Sequence, residues 1–219
     1  MKLFNTDSVL FRIMELLREL ALMNVLFLLC CIPIVTIGAS YKALLACCFD
    51  LEYGEGRFSA AFFIRKFKEN AGKSIRIWIP GCLVILLLGY NLSFCMGISG
   101  KAVRFAGVGV YAVLMIWCCG VLQYYFAFLA RESEGNGKEL KNSMILALAK
   151  YPAVVLMTVC SASAGVILLL PAAWVLRLLP LILFFWFSSP ALVCARLIGK
   201  TAAPYYPELF RSRGQNSSK

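Results

Sequence analysis

Residues 77–99 read IWIPGCLVILLLGYNLSFCMGIS, and residues 105–130 read FAGVGVYAVLMIWCCGVLQYYFAFLA. Neither stretch holds a charged side chain or a histidine. About 20 apolar residues in a helix cross ~30 Å of hydrocarbon, so each stretch predicts a membrane span. The few residues between them, with Lys101 and Arg104, predict a tight hairpin. Two further runs, 153–171 and 178–195, carry the same signature. With a less regular apolar segment at 20–49, the expected fold is all-α: a multi-pass transmembrane helical bundle of about five spans, with amphipathic basic helices at the cytoplasmic face.

Composition agrees. Of 219 residues, 61% are hydrophobic and 15% charged, with a mean hydropathy of +0.81. A soluble domain has about 45–50% apolar and 25% charged residues. The whole chain, 1–219, therefore reads as one integral membrane domain with no separate soluble module. No cleavable leader is expected, because the first apolar run starts only at Leu20 and shows no small-residue cleavage site.

The formal net charge is +11, and the position of the cations predicts orientation. Residues 50–76 carry Arg57, Arg65, Lys66, Lys68, Lys73 and Arg76; residues 131–150 carry Arg131, Lys138, Lys141 and Lys150; the tail, 196–219, carries Arg196, Lys200, Arg211, Arg213 and Lys219. The opposite turns hold only Lys101, Arg104 and Arg177. By the positive-inside rule the richer side, with the C-terminus, is cytoplasmic. The cations lie in short loops beside spans, which argues for anionic lipid headgroups as partners rather than nucleic acid.

Residues 20–49 allow two readings. As one helix they would measure ~45 Å, too long for an upright span, and Pro33 and Gly38 weaken the helix. A single tilted, kinked span is the preferred reading. A re-entrant hairpin stays open, and would place Lys2, Arg12 and Arg18 on the cytoplasmic side as well. Upstream, Arg12, Glu15 and Glu19 form a narrow polar stripe, so 1–19 is expected to lie as an amphipathic helix at the interface.

A weak internal echo is present. Phe67-Lys68-Glu69-Asn70 precedes Pro80 as Leu140-Lys141-Asn142 precedes Pro152, and the span pairs end in Ala130-Arg131 and Ala195-Arg196. A duplicated basic helix plus hairpin would explain it, with each proline in the first turn of its span, where its missing donor matters least.

Reactive groups are scarce. All 11 acidic residues fall outside the long apolar runs, and there is no histidine, which argues against an intramembrane acid, base or proton relay. The ten cysteines make no C-x-x-C pattern and read as small apolar fillers. No catalytic residue, cofactor or metal is therefore expected, and the chain is not expected to be an enzyme. Ser161 lies in the small-residue run SASAG, which suits close helix packing. Asn91 and Gln123 are expected to bond across helices. Tyr124, Tyr125, Phe126, Trp78, Trp174 and Trp186, toward span ends, are expected to form interfacial belts. Lys42 is a candidate functional residue by its charge near a span; snorkelling of its ammonium to the interface is the favoured account. In 60–70, Phe62, Phe63 and Phe67 are expected to enter the headgroup boundary while Arg65, Lys66 and Lys68 meet anionic lipid.

Asn24, then Pro33-Ile34-Val35-Thr36-Ile37-Gly38-Ala39, then Phe62-Phe63 with Phe67-Lys68 and Asn70 follow one another in the first third of the chain. On these residues the chain resembles the YesL-type family of bacterial integral membrane proteins, domain of unknown function 624. The resemblance implies several membrane helices, no established activity, residence in the bacterial cytoplasmic membrane and an association with carbohydrate uptake. Two functions fit this pattern. One is a non-enzymatic accessory or scaffold that binds a membrane-protein partner or its own copies. The alternative is a small oligomeric permease whose solute path runs along the broken first segment, by Asn24, Pro33, Thr36, Gly38 and Lys42.

Overall fold

The computed structural model describes residues 9–53, 59–97, 100–131, 138–165 and 186–210. Among these residues every element is helical. Helix α1, Val9–Cys30, is followed by a 3-10 turn at Ile34–Thr36 and by α2, Ile37–Tyr53. Then come α3, Ala60–Lys68, α4, Ala71–Met96, α5, Lys101–Arg131, α6, Glu139–Ala149, and α7, Tyr151–Gly165. Ser188–Ala202 forms α8 and Pro207–Phe210 a last short helix, α9.

The long apolar helices appear where the quoted stretches predict them. Each also takes up flanking polar residues, α4 from Ala71 and α5 from Lys101. They form an antiparallel pair. A methyl group added at Gly81 would strike Leu122, and one added at Gly107 would strike Cys95, which fixes the register at two levels. Along the outer part of this hairpin Leu83, Leu86, Leu87, Phe94, Val103 and Phe105 are exposed. A contiguous apolar surface of this size is unstable in water; its backbone, bonded within each helix, suits hydrocarbon.

The other end of α5 behaves oppositely. Every residue from Gly120 to Ala130 is buried, because α2, α6, α7 and α8 pack round it. Helix α2 is the second core element, buried from Gly38 through Phe49 except at half-buried Tyr41. Helix α8 follows α2 in parallel. Ser188 lies by Asn24, and at the far end Arg196 pairs with Glu52 at 2.8 Å. Tyr124 lies 2.9 Å from the Thr201 hydroxyl, and Phe128 packs edge-on to Tyr206.

Several expectations need correction. Tyr124, Tyr125 and Phe126 are enclosed by protein rather than turned outward, since they occupy the enclosed half of α5. Asn91 donates to the Leu87 carbonyl of its own helix at 2.8 Å, not across helices. Among the described residues, those that carry the internal echo do not occupy matching places. Asn70 sits at the α3–α4 corner with φ 54°, whereas Asn142 lies inside α6. Pro80 is interior to α4, whereas Pro152 is in the first turn of α7. The second break falls instead at Lys150, where α6 and α7 meet at 101°.

Among the described residues, three helices are long and apolar enough to cross a membrane: the 3-10 turn with α2, α4 and α5; α6 and α7 qualify only as a bent pair. The expected spans 153–171 and 178–195 lie partly outside the described residues, as does the tail beyond 210. The segment 1–19 is described from Val9, where it runs without interruption into the first apolar segment as α1.

Candidate functional site

The residues singled out between Asn24 and Asn70 meet where α1, α2, α3 and α4 converge. The organising feature is the turn after α1. Pro33 has extended backbone, φ −79° and ψ 120°, and its lack of an N–H ends the helical ladder. Carbonyls freed in this way need donors. The Thr36 hydroxyl lies 2.7 Å from the carbonyls of both Cys30 and Pro33, its one proton shared between them. The Ser40 hydroxyl lies 3.0 Å from the carbonyls of Cys30 and Thr36. The Trp78 indole N–H, from α4, donates to the Ile34 carbonyl at 3.1 Å.

These bonds also show direction. In a continuous helix Cys30 and Ser40 would be ~15 Å apart. Direct contact between them means that the chain doubles back. Leu20, Met23 and Phe27 on α1 belong to the same core as Ala43 through Phe49 on α2, which residues of α5, α7 and α8 complete. Pro33 stands in the turn that joins the two helices.

Gly38 explains how the tip is held. A β-carbon there would lie 2.7 Å from the Trp78 Cβ and 3.1 Å from the Phe126 ring. Only hydrogen at this position lets α2 approach α4 and α5 so closely. One turn on, Lys42 is 1% exposed, and its ammonium donates to the Glu69 carbonyl at the end of α3. The expectation of snorkelling is thus overturned, since the corner carbonyl offers the ammonium a partner inside the protein. Asn70 follows in the left-handed conformation, φ 54° and ψ 26°, which Asn tolerates better than most residues. Its carbonyl accepts the Ser74 N–H at 3.1 Å and the Ser74 hydroxyl at 3.3 Å. The Lys66 ammonium pairs with the Glu69 carboxylate at 2.9 Å.

Asn24 reaches in another direction. It is fully buried, and its side-chain oxygen accepts the N–H groups of Phe187 and Ser188 at 3.0 and 3.1 Å. These are the first N–H groups of α8, for which Phe187 itself supplies no side-chain cap. Asn24 therefore acts as the N-cap of a helix far along the chain. The ring of Phe27, one turn further along α1, packs 5.4 Å from that of Phe187.

Helix α3 departs from its expected lipid-facing role in one respect. Phe63 is wholly buried in the protein core, and Phe62 and Phe67 are half-buried against it. Arg65 and Lys68 are exposed, with Ile64 beside them, and the Arg65 guanidinium lies 5.3 Å from the Phe62 ring centre. With Phe63 turned inward, the helix has less aromatic surface to offer lipid than its sequence suggests.

Chemically this cluster offers hydrogen bonds and packing. Gln123 does bond across helices, donating to Ser161 at 3.3 Å, and Ser161 lies 3.7 Å from the Cys194 sulfur; the small-residue run thus packs α7 against α5 and α8. All ten cysteines are free. Among the described residues no three His, Cys, Asp or Glu side chains are placed to hold a metal. A groove between α4, α5 and α6, walled by Pro80, Gly81, Val84, Trp117 and Met144, presents an almost wholly apolar surface. Ser40, Glu69 and Phe126 were not foreseen as parts of the site. Ser40 carries a weak signal, a hydroxyl one turn beyond Thr36; the other two carry none.

Residues 20–92, which span most of α1 through most of α4 and so contain this cluster, match the model of a family described as "Protein of unknown function, DUF624". No curated protein and no solved structure matches the chain.

Proposed function

We propose that this chain is a DUF624 protein of the YesL type, a multi-pass resident of the bacterial cytoplasmic membrane that serves as a non-enzymatic accessory or scaffold of a membrane complex. The matched segment and the exposed apolar hairpin α4–α5 support the membrane placement. The cation distribution supports a cytoplasmic C-terminus. On this reading Arg65, Lys68 and their neighbours rest against anionic headgroups. Resemblance to the YesL type is the ground for linking the complex to carbohydrate uptake.

One observation carries the choice of an accessory. The motif's polar groups are consumed in joining helices: Asn24 caps α8, Thr36 and Ser40 close the hairpin, and Lys42 seals the α3–α4 corner. A permease path along the break would need such groups to face a passing solute. What remains for recognition is the outer surface.

Crosslinking in native membranes, followed by mass spectrometry, tests this. The expected result is one stable heterologous membrane-protein partner, reduced when Arg65 and Lys68 are both changed to Glu. Recovery of self-contacts alone would overturn it. Periodic water exposure of labels placed along residues 33–42 would favour the permease.

A further inference from the structure

We infer that residues 9–53 do not cross the membrane: α1 and α2 form a helical hairpin that approaches from the cytoplasmic side and returns to it, with Ile32, Ile34 and Val35 as an apolar wedge at the inner edge of the hydrocarbon. The inference rests on the membrane reading proposed above and goes beyond it, because the 3-10 turn with α2 is long and apolar enough to be a span.

Depth leaves α2 no layer to span. Trp78 of α4 and Phe126 of α5 pack with ring centres 6.3 Å apart, so they mark one level. From Arg104 to Phe126, α5 rises ~33 Å, and from Trp78 to Met96, α4 rises ~27 Å. The hydrocarbon is ~30 Å thick. With Lys101 and Arg104 at the far headgroups, the α4–α5 hairpin alone fills the layer up to the Trp78 level. Arg76, exposed two residues before Trp78, then sits at the near headgroups, and Trp78 takes the interfacial position that tryptophan favours. The tip of α1–α2 lies at this same level, because Ile34 accepts the Trp78 indole N–H and Gly38 abuts Trp78 and Phe126. No hydrocarbon remains for α2 to cross.

The outward-facing side chains agree. The enclosed residues of α2 run from Gly38 to Phe49, whereas α4 buries only Ser74 and Cys95 among its side chains. A helix solvated by protein on nearly every side is a core helix, and one solvated by protein on almost none is a lipid-facing span. Exposure is greatest at the tip, where Ile32 and Ile34 are 77% and 75% exposed, and continues along the outer side of α1 at Met14, Leu17, Leu22 and Leu29. Apolar side chains at a turn, beside exposed Lys73 and Arg76, suit the acyl–headgroup boundary of an anionic leaflet.

Charge points the same way. If the hairpin returns, Lys2, Arg12 and Arg18 join the fifteen cytoplasmic cations, leaving three on the opposite side. If α2 crossed, those three would lie outside and double that number.

Short epitope tags placed singly in the full-length chain, before Met1, at Gly100 and after Lys219, test the inference by protease access in right-side-out and inverted membrane vesicles. The expected result is that the two terminal tags are cleaved only in inverted vesicles and the Gly100 tag only in right-side-out ones. Terminal tags on opposite faces, with Gly100 still opposite the C-terminus, would overturn the hairpin while leaving the membrane reading intact. A Gly100 tag on the same face as the C-terminal tag, or release of the chain by alkaline carbonate, would overturn both.

Discussion

Asn24 and Ser188 stand 164 positions apart, and the Asn24 carboxamide oxygen accepts the Ser188 N–H at 3.1 Å. The same oxygen takes the Phe187 N–H, so one side chain on α1 satisfies two donors at the start of α8. That single bond pair ties the first described helix to the last long one. It also explains why Asn, with a short polar arm, occupies a buried position in the apolar half of α1, residues 20–30.

Replacing Asn24 by Ala should therefore cost ~1–3 kcal/mol, the range for a lost cap that leaves buried donors unpaired. Asn24→Asp keeps the acceptor and adds a charge suited to a helix N-terminus, so it should cost less. Unfolding of the purified protein in detergent, followed by circular dichroism, measures both. An alanine variant as stable as the parent would show that the cap contributes nothing.

Glycine substitutions separate close contact from simple propensity. Gly38→Ala puts a methyl 2.7 Å from the Trp78 Cβ, an atom fixed to the α4 backbone, so the helices must part. The expected loss is ~1–3 kcal/mol, as for overpacking. Gly89→Ala, on α4, meets nothing within 4 Å and should gain up to ~1 kcal/mol from helix propensity. Equal effects at the two sites in the same unfolding assay would contradict the tight α2–α4 approach.

How far the sequence displays this structure depends on the range of the forces concerned. Helices α4 and α5 are legible because an unbroken apolar run is a local property that lipid selects directly. The break at Pro33 is legible for the same reason: a missing N–H acts on its own turn. The return of α2 along α1 is not, since Ser40 meeting Cys30 depends on how Trp78 and Phe126 receive Gly38. Lys42 misleads for a related cause. Its charge predicts a route to water, but the Glu69 carbonyl that holds it belongs to a corner shaped by the left-handed Asn70. Tyr124 through Phe126 mislead because the aromatic signature of an interface is also that of a crowded core.

The Lys42 assignment can be checked by removing the charge while keeping the bulk. Lys42→Met retains a long unbranched stem and deletes the donor to the Glu69 carbonyl. Leaving that carbonyl without its buried partner should cost ~1–3 kcal/mol and loosen the α3–α4 corner. Amide exchange at Ser74, whose N–H bonds the Asn70 carbonyl, should quicken by the corresponding factor. Unchanged exchange and stability would mean that the ammonium reaches the interface after all.

The two sides of α3 should separate stability from lipid contact. Phe63 is enclosed by the core, so Phe63→Ala should cost ~3–5 kcal/mol, as large-to-small core changes do. Lys68→Gln and Arg65→Gln remove exposed charges and should shift stability in neutral detergent by no more than ~0.5 kcal/mol. Their effect belongs elsewhere: each exposed cation contributes ~1 kcal/mol at an anionic leaflet. Unfolding in nanodiscs with and without anionic lipid should therefore show a stabilisation by charge in the parent that shrinks in the double variant, while Phe63→Ala loses stability equally in both. If Phe63→Ala were instead harmless in detergent and damaging only in anionic discs, its ring would be a lipid anchor, and α3 would have to be turned over to satisfy that result.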